Sequence, residues 1–140
     1  MIFNGIFLVA GEARGPILAI APLSFWGGYD PEAGRVIDRS HPALGAELAG
    51  RILVMPCGRG SSSSSTVLAE AIRLGTAPTA IVLSEPDPIL VIGALVAQRL
   101  YPRACPIVLL PPKDHALLAA AATADIASDP TGSGAIVTAD

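Results

Sequence analysis

The stretch RILVMPCGRGSSSSSTVLAEAIRLGTAPTAIVL, residues 51–83, decides the predicted fold. Its first five residues are an apolar run that is typical of a buried strand. Apolar residues then recur at helical spacing between Thr66 and Leu74, and Gly75 stands where a glycine commonly follows the last turn of a helix. Residues 78–83 predict a second strand. This strand–loop–helix–strand order indicates an α/β domain with parallel strands.

Downstream, the same alternation of strands and helices continues. The segment Glu85-Pro86-Asp87-Pro88 predicts a turn into a second helix over residues 89–100, and residues 106–110 predict a further buried strand. Asp114 is predicted to cap a third helix that runs to Ala122. Residues 134–138 then predict a strand that closes the sheet.

Upstream, the chain is richer in strands and loops. Residues 6–10 and 16–21 predict two short buried strands joined by a turn at residues 11–15. A long Gly- and Pro-containing loop follows from Ser24 to Gly45, interrupted by the strand-like residues 35–37. Loops of this length inside a domain are commonly functional. With no internal repeat and no boundary-length linker, we expect residues 1–140 to form one α/β domain.

Composition narrows the function classes. The 140 residues include 9 basic and 12 acidic residues, so the chain lacks the basic excess of a nucleic-acid-binding protein. The 51% hydrophobic and 15% charged content excludes intrinsic disorder. This low fraction of charged residues has two explanations: a surface that is buried in an interface with a partner, or the alanine bias of a GC-rich genome. If the first holds, the isolated chain should self-associate.

Cysteine content and hydropathy limit the compartment. Cys57 and Cys105 form no C-x-x-C pair, which argues against a disulfide scaffold and against a self-contained zinc or iron–sulfur site. Residues 1–10 are apolar but lack the basic start of a signal peptide. The longest later apolar run, residues 89–97, is well short of the roughly 20 residues that span a membrane. We expect a soluble, cytoplasmic protein with reduced thiols.

Residues 58–65, GRGSSSSS, form the chemically loaded segment. A glycine-rich loop that opens a helix leaves backbone N–H groups free to bind an anion, and Arg59 adds a guanidinium. The segment lacks the lysine of a phosphate-binding Walker loop and the closing glycine of a G-x-S-x-G nucleophile turn. The alternative interpretation is a flexible serine stretch that only caps the helix.

Candidate catalytic partners for a serine are few. A serine hydroxyl becomes basic only where its alkoxide is stabilised, as a helix N-terminus and Arg59 would do. A Ser–His–Asp arrangement would need His41 or His115 nearby, and a lone histidine is more commonly structural. Asp30 and Asp38 are more typical of turn residues than of catalytic acids.

Three motif groups resemble the small-subunit signature of the aconitase X family. They span residues 5–110 in the family's order. The motifs are Ser24-Phe25-Trp26-Gly27-Gly28 with Asp30-Pro31, residues 34–38, His41-Pro42 and Gly45; Pro56-x-Gly58-Arg59-Gly60-Ser61-Ser62-Ser63; and Glu85-Pro86-Asp87-Pro88-Ile89-Leu90.

The resemblance implies a swivelling β/β/α domain like the last domain of aconitase. Such a domain is the small subunit of a two-chain hydro-lyase whose large chain holds an iron–sulfur cluster or mononuclear iron on three cysteines. In the family's reaction a base removes a proton next to a carboxylate, and iron assists the departing hydroxyl. Members similar in composition to this chain dehydrate cis-3-hydroxy-L-proline to Δ1-pyrroline-2-carboxylate, and others dehydrate mevalonate 5-phosphate.

The resemblance also implies site residues. Ser61 matches the proton-abstracting serine of aconitase-like enzymes, and Ser62 and the loop N–H groups match positions near the substrate carboxylate. The predicted substrate-binding set is Arg59, Gly60, Ser62 and Ser63, and either Arg59 or an arginine of the large chain takes the anion-binding role that an arginine has in aconitase. Aconitase carries an arginine where Ser63 stands, so the base stays open among residues 61–65. A single arginine in the loop favours hydroxyproline over a phosphorylated substrate. Two other classes stay open, a stand-alone carboxylate- or phosphate-binding regulatory module and a purely structural subunit.

Overall fold

The computed structural model describes residues 1–140 and is built around a closed barrel of seven strands. In chain order the elements are β1 (Ile2–Val9), β2 (Ala13–Ala19), α1 (Phe25–Gly28), β3 (Tyr29–Asp30), β4 (Arg35–Val36), β5 (Ile52–Val54), α2 (Ser64–Leu74), β6 (Ala80–Leu83), α3 (Pro88–Leu100), β7 (Ile107–Leu109), α4 (Pro112–Ala119), β8 (Thr123–Ser128) and β9 (Gly134–Ala139).

The barrel order is β1-β7-β6-β5-β2-β8-β9, and β9 pairs with β1 to close it. Strands β2, β5, β6 and β7 run parallel, and the remaining pairs are antiparallel. The parallel part is where α2 and α3 cross between neighbouring strands, as a parallel connection requires. Strands β3 and β4 form a separate hairpin in the loop that precedes β5.

Two apolar clusters hold the fold together. Because side chains alternate along a strand, Ile52 and Val54 point into the barrel, whereas Leu53 between them faces the helices. The barrel cluster takes at least one residue from each of the seven strands. The second cluster packs the outer face of β5, β6 and β7 against Leu68 of α2 and Leu90 of α3. None of the helices has the length and apolar character needed to cross a membrane.

The central part of the chain matches the prediction. Strands β5, β6 and β7 lie within the predicted ranges, and every residue of β5 and β6 is buried. Gly75 ends α2 in a left-handed conformation at φ +79°, and its N–H donates to Ile72 O at 3.2 Å. Helix α3 begins one residue earlier than predicted, at Pro88.

The prediction for the first two strands was wrong in extent and in burial. Strand β1 begins at Ile2 and continues through Gly5. A side chain at position 5 would lie only 2.8 Å from Val108 Cγ1 of the neighbouring β7. Glycine therefore permits a close approach of strands here rather than a break. Strand β2 begins at Ala13, which shortens the predicted turn. Neither strand is fully buried: Ile2 and Ile6 are exposed in β1, and Arg14 and Pro16 are exposed in β2.

The prediction for the C-terminal part also needs correction. Asp114 does not cap a helix: α4 begins at Pro112, Asp114 lies in its first turn, and no side chain caps its N-terminus. Helix α4 ends at Ala119 rather than Ala122. The segment Thr123–Ser128, for which no strand was predicted, is β8, which pairs with β2 and β9. The strand predicted at residues 134–138 is confirmed as β9, and it does close the sheet.

Candidate functional site

Two loops meet at the carboxyl edge of the parallel strands. One follows β5 and contains the glycine–serine segment, here called the serine loop (Gly58–Ser63). The other follows β6 and leads into α3. The N–H groups of Ser84 and Glu85 both donate to Pro56 O, each at 3.0 Å, which joins the two loops. Ligand sites in α/β proteins commonly lie at this edge, because loops from neighbouring strands converge there.

A cavity of about 210 Å³ lies between the serine loop and the N-terminus of α3. Its walls combine apolar side chains with polar groups of both signs, which suits a small polar ligand rather than an extended apolar one. The lining residues are Leu23, Gly58, Arg59, Gly60, Ser61, Ser64, Asp87, Ile89 and Leu90.

The serine loop has unpaired backbone donors. The N–H groups of Gly60, Ser61 and Ser62 have no hydrogen-bond partner within the chain. Helix α2 follows directly, and it has neither an acidic residue in its first turn nor a side-chain cap. The positive end of the α2 dipole is therefore uncompensated, and together with the free N–H groups it makes this wall of the cavity attractive to an anion.

The serines differ in what their hydroxyls do. Ser64 is buried, and its Oγ accepts a hydrogen bond from the Trp26 N–H at 3.1 Å, so it anchors α2 to the segment around α1. Ser65 Oγ donates to Ser62 O at 3.0 Å. Ser61 Oγ accepts from the Ser63 N–H at 3.1 Å and lines the cavity. Ser62 and Ser63 do not line it.

Gly60 shapes the loop in two ways. Its φ of +89° lies in the left-handed region that favours glycine, and a Cβ there would collide with Ser24 Oγ. Ser24 Oγ in turn donates to Trp26 O at 2.8 Å. The loop conformation thus depends on a position without a side chain, packed against the segment that also contacts Ser64.

Arg59 is held by Asp38. Its Nη2 lies 3.3 Å from Asp38 Oδ2, while Asp38 Oδ1 accepts from the Ser40 N–H at 2.9 Å and the Ser40 hydroxyl at 2.7 Å. These two hydrogen bonds from Ser40, followed by the nearby Arg59 guanidinium, hold the pKa of the Asp38 carboxyl below its usual value. Asp38 is therefore a turn residue, as expected, and also positions a predicted site residue.

The histidines and Asp30 make no hydrogen bond to the serine loop. His41 Nδ1 accepts from the Ala43 N–H at 2.9 Å, so Nε2 carries the proton and donates to Ala21 O. His115 Nε2 donates to two carbonyl oxygens of the core. Asp30 Oδ1 accepts two N–H groups of its own turn. No Ser–His–Asp arrangement forms, because both imidazole rings are engaged by the backbone.

The chain's own residues do not fit an iron centre. No group of three or more His, Cys, Asp or Glu side chains comes together anywhere in the structure. Burial raises the pKa of the Cys105 thiol to about 12, whereas metal ligation requires a thiolate. Partial burial, followed by the charges of Glu85 and Asp87, raises the pKa of Cys57 as well.

Asp87 is a site residue that sequence reasoning missed. Its Oδ1 caps α3 by accepting from the N–H groups of Ile89 at 3.0 Å and Leu90 at 3.2 Å. Its Oδ2 faces Gly58, where a Cβ would lie 2.5 Å away. The Asp-Pro pattern at residues 87–88 signals a helix start, but nothing in it shows that this start meets the serine loop.

Fold and site together define a class of protein: an α/β barrel domain that presents an anion-attracting loop at the carboxyl edge of its parallel strands. The model of the aconitase X swivel domain matches residues 2–136. The chain belongs to this family, and the swivel-domain fold expected from its motifs is confirmed.

Known relatives agree with this assignment. The chain is 55% identical over 104 residues to a cis-3-hydroxy-L-proline dehydratase of Pseudomonas aeruginosa, a match that covers 74% of this chain and 18% of the relative. It is 44% identical over 88 residues to the phosphomevalonate dehydratase small subunit of Methanothermobacter thermautotrophicus, covering 62% of this chain and 67% of that one. The chain thus spans under a fifth of the length of the first relative.

A solved structure shows the same fold. The crystal structure of the holo-form of Thermococcus kodakaraensis aconitase X superposes with a TM-score of 0.78 at 28% sequence identity. The superposition covers 99% of this chain and 98% of the matched chain.

Proposed function

We propose that this chain is the small subunit of a hydro-lyase and supplies the proton-abstracting part of an active site shared with a large subunit. The substrate is a small hydroxy acid, cis-3-hydroxy-L-proline in the first instance, and the product is Δ1-pyrroline-2-carboxylate. The observation that carries the proposal is the pairing of a cavity-lining serine hydroxyl with unpaired N–H groups at the N-terminus of α2.

Ser61 is the proposed base. Deprotonation of its hydroxyl would leave an alkoxide at the positive end of α2, already hydrogen-bonded by the Ser63 N–H at 3.1 Å. Both interactions favour the charged form and lower the pKa of the hydroxyl. Ser64 and Ser65 are poor candidates, since one accepts a backbone N–H in a buried position and the other donates to a carbonyl.

The rest of the serine loop binds the substrate carboxylate. The free N–H groups of Gly60 and Ser61, which line the cavity, are donors for its oxygens. Of the other residues in the predicted substrate-binding set, Arg59 lines the cavity, whereas Ser62 and Ser63 do not, and Ser62 offers its free N–H from outside the lining. Arg59 reaches the carboxylate by exchanging its contact with Asp38, which is long at 3.3 Å and solvent-exposed on the arginine side. The donors that bind the carboxylate also make the neighbouring C–H more acidic, because they stabilise the negative charge that spreads onto the carboxylate oxygens as the proton leaves.

The proposed reaction is an elimination of water. Ser61 Oγ takes the proton from C2, the C2–H electron pair becomes the C2–C3 double bond, and the C3–O bond breaks as the hydroxyl leaves with a proton to form water. The resulting enamine tautomerises to the cyclic imine. The leaving hydroxyl needs a proton donor, and we give that role of general acid to the large subunit.

We assign the iron centre to the large subunit as well. The reason is the donor set: this chain offers two separate cysteines, and its two histidines are bound to backbone groups. The unpaired thiols also suit the reducing cytoplasm, where we place the enzyme.

A second candidate substrate is mevalonate 5-phosphate. It is favoured by the similarity to a phosphomevalonate dehydratase small subunit, two thirds of which this chain covers. The higher identity to the hydroxyproline dehydratase favours the first substrate.

The test is to assay the assembled two-subunit enzyme with each substrate and to follow the pyrroline product or the dehydrated phosphate. We expect turnover of cis-3-hydroxy-L-proline, and none by this chain alone. Turnover of mevalonate 5-phosphate instead would select the second candidate. If the isolated chain bound carboxylates saturably, and addition of the large subunit produced no turnover of either compound, a regulatory module would be the better description.

A further inference from the structure

Asp87 lines the cavity and has one carboxylate oxygen, Oδ2, that does not take part in capping α3. Capping of α3 engages only Oδ1, which accepts the N–H groups of Ile89 and Leu90. Oδ2 accepts no hydrogen bond from the chain and lies against Gly58, where the missing side chain leaves it room. A carboxylate oxygen beside a cavity, without a donor from its own chain, is a site for a ligand donor.

The cavity therefore has walls of opposite charge. On one side lie Arg59 and the free N–H groups of the serine loop, where α2 begins without any acidic residue. On the other side lies Asp87, at the start of α3. Since Asp87 compensates the positive end of α3, the two helix N-termini that meet here are not equivalent: one attracts an anion and the other a cation.

We infer that Asp87 recognises the cationic nitrogen of an amino-acid substrate, so that the site selects hydroxy acids that carry an ammonium group next to the carboxylate. This inference rests on the proposed function and specifies its substrate class. In a hydroxyproline the ring nitrogen and the carboxylate are attached to the same carbon, so one small ligand brings a cation and an anion together into a cavity of about 210 Å³ that both Asp87 and the serine loop line. A phosphorylated hydroxy acid offers no cation to Asp87 and adds negative charge beside it, which costs binding.

The experiment uses the assembled enzyme with Asp87→Asn and Asp87→Ser. Both replacements keep an oxygen that can cap α3 while removing the charge. Asp30→Asn is the matched control, because Asp30 also accepts two backbone N–H groups through one oxygen but does not line the cavity. The readouts are KM and kcat for cis-3-hydroxy-L-proline, and competitive inhibition by L-proline and by cyclopentanecarboxylate, which lacks the nitrogen.

We expect the Asp87 variants to raise KM by about tenfold or more, with a smaller effect on kcat. We also expect them to remove the preference for L-proline over cyclopentanecarboxylate, whereas Asp30→Asn keeps both properties. The inhibitor ratio does not depend on the fraction of folded enzyme. If both Asp87 variants keep the wild-type ratio, the inference is overturned and the proposed function stands. If the wild-type enzyme does not dehydrate hydroxyproline, the inference is overturned together with the first candidate substrate.

Discussion

Ser61 and Ser64 are three residues apart, yet their hydroxyls have opposite surroundings. Ser64 Oγ is enclosed and accepts the Trp26 N–H, whereas Ser61 Oγ lines the cavity and accepts the Ser63 N–H. The same side chain therefore serves packing in one place and is available for chemistry in the other. Sequence alone could not separate the five serines, because their distinction depends on which of them turns toward α1 and which toward α3.

The buried phenol of Tyr29 predicts that the stability of the fold decreases at alkaline pH. Burial raises the pKa of Tyr29 to about 12, and its hydroxyl donates to Thr76 O at 2.6 Å. A raised folded-state pKa means that the stabilisation is fully present below the unfolded value near 10 and is lost as the pH rises toward 12. We expect the free energy of unfolding in urea to fall over this range, by up to about 2 kcal/mol from this residue.

The measurement compares the pH dependence of wild type with that of Tyr29→Phe. The variant should lose part of the alkaline decline, because it has no phenol to ionise. Tyr101→Phe is the control, since Tyr101 is only half-buried at the end of α3. Equal declines in wild type and Tyr29→Phe would show that the burial of this phenol does not govern alkaline stability.

At the scale of elements, the site is produced by two parallel crossovers. Strands β5 and β6 are neighbours, so the loops that follow them end side by side and bring the starts of α2 and α3 together. Gly93 lets the two helices pack closely, because a side chain there would lie 2.6 Å from Ser65 O. The cavity is thus a consequence of topology rather than of any one motif.

This explains which elements could be predicted. The central strands and α2 are marked by apolar runs and by Gly75, which are local signals. Strand β8 has the sequence Thr-Ala-Asp-Ile-Ala-Ser, which is weak in β-branched residues, and it forms because β2 and β9 pair with it on both sides. Asp87 and Asp38 join the site through contacts with residues 21 or more positions away, for which a sequence carries no local signal.

The serine loop gives a prediction at this scale. Gly60→Ala should destabilise the protein by about 2 kcal/mol or more, because the left-handed conformation costs about 1–2 kcal/mol and the new methyl group collides with Ser24 Oγ. It should also lower kcat/KM of the assembled enzyme. Gly45→Ala is the matched control, with a φ of +85° but nothing within 4 Å of the added atom.

Unfolding in urea measures both variants. We expect Gly45→Ala to lose only about 1 kcal/mol and to keep full activity. Equal losses of stability and activity in the two variants would contradict the assigned contact between Gly60 and Ser24.

At the scale of the whole molecule, the surface has exposed apolar residues of the kind that a partner protein buries in an interface. Helix α3 exposes an apolar face, and Trp26 is exposed beside the serine loop. The residues of the α3 face are Ile92, Leu95, Val96 and Leu100. Part of the exposed apolar surface that accompanies the low charged fraction is thus concentrated on one helix. This favours an interface over a general alanine bias as the explanation of the composition.

The prediction is that the isolated chain self-associates. It should elute in gel filtration at more than the 14.2 kDa of one copy, and the double variant Leu95→Glu/Leu100→Glu should shift it toward a monomer. The same charges placed at exposed positions of α2, by Thr66→Glu and Leu74→Glu, are the control. A monomeric wild-type chain at high concentration would contradict this interpretation of the α3 face.

The central claim is that this chain contributes the base, and the most direct measurement is kcat of the assembled enzyme with Ser61→Ala beside Ser62→Ala. Both serines are exposed in the loop, but only Ser61 lines the cavity. Loss of a general base lowers kcat by about 100-fold or more, and we expect this for Ser61→Ala alone. Ser62→Ala should stay within about tenfold of wild type, because it keeps the backbone N–H and removes only a hydroxyl that does not line the cavity. Wild-type turnover by Ser61→Ala would contradict the account.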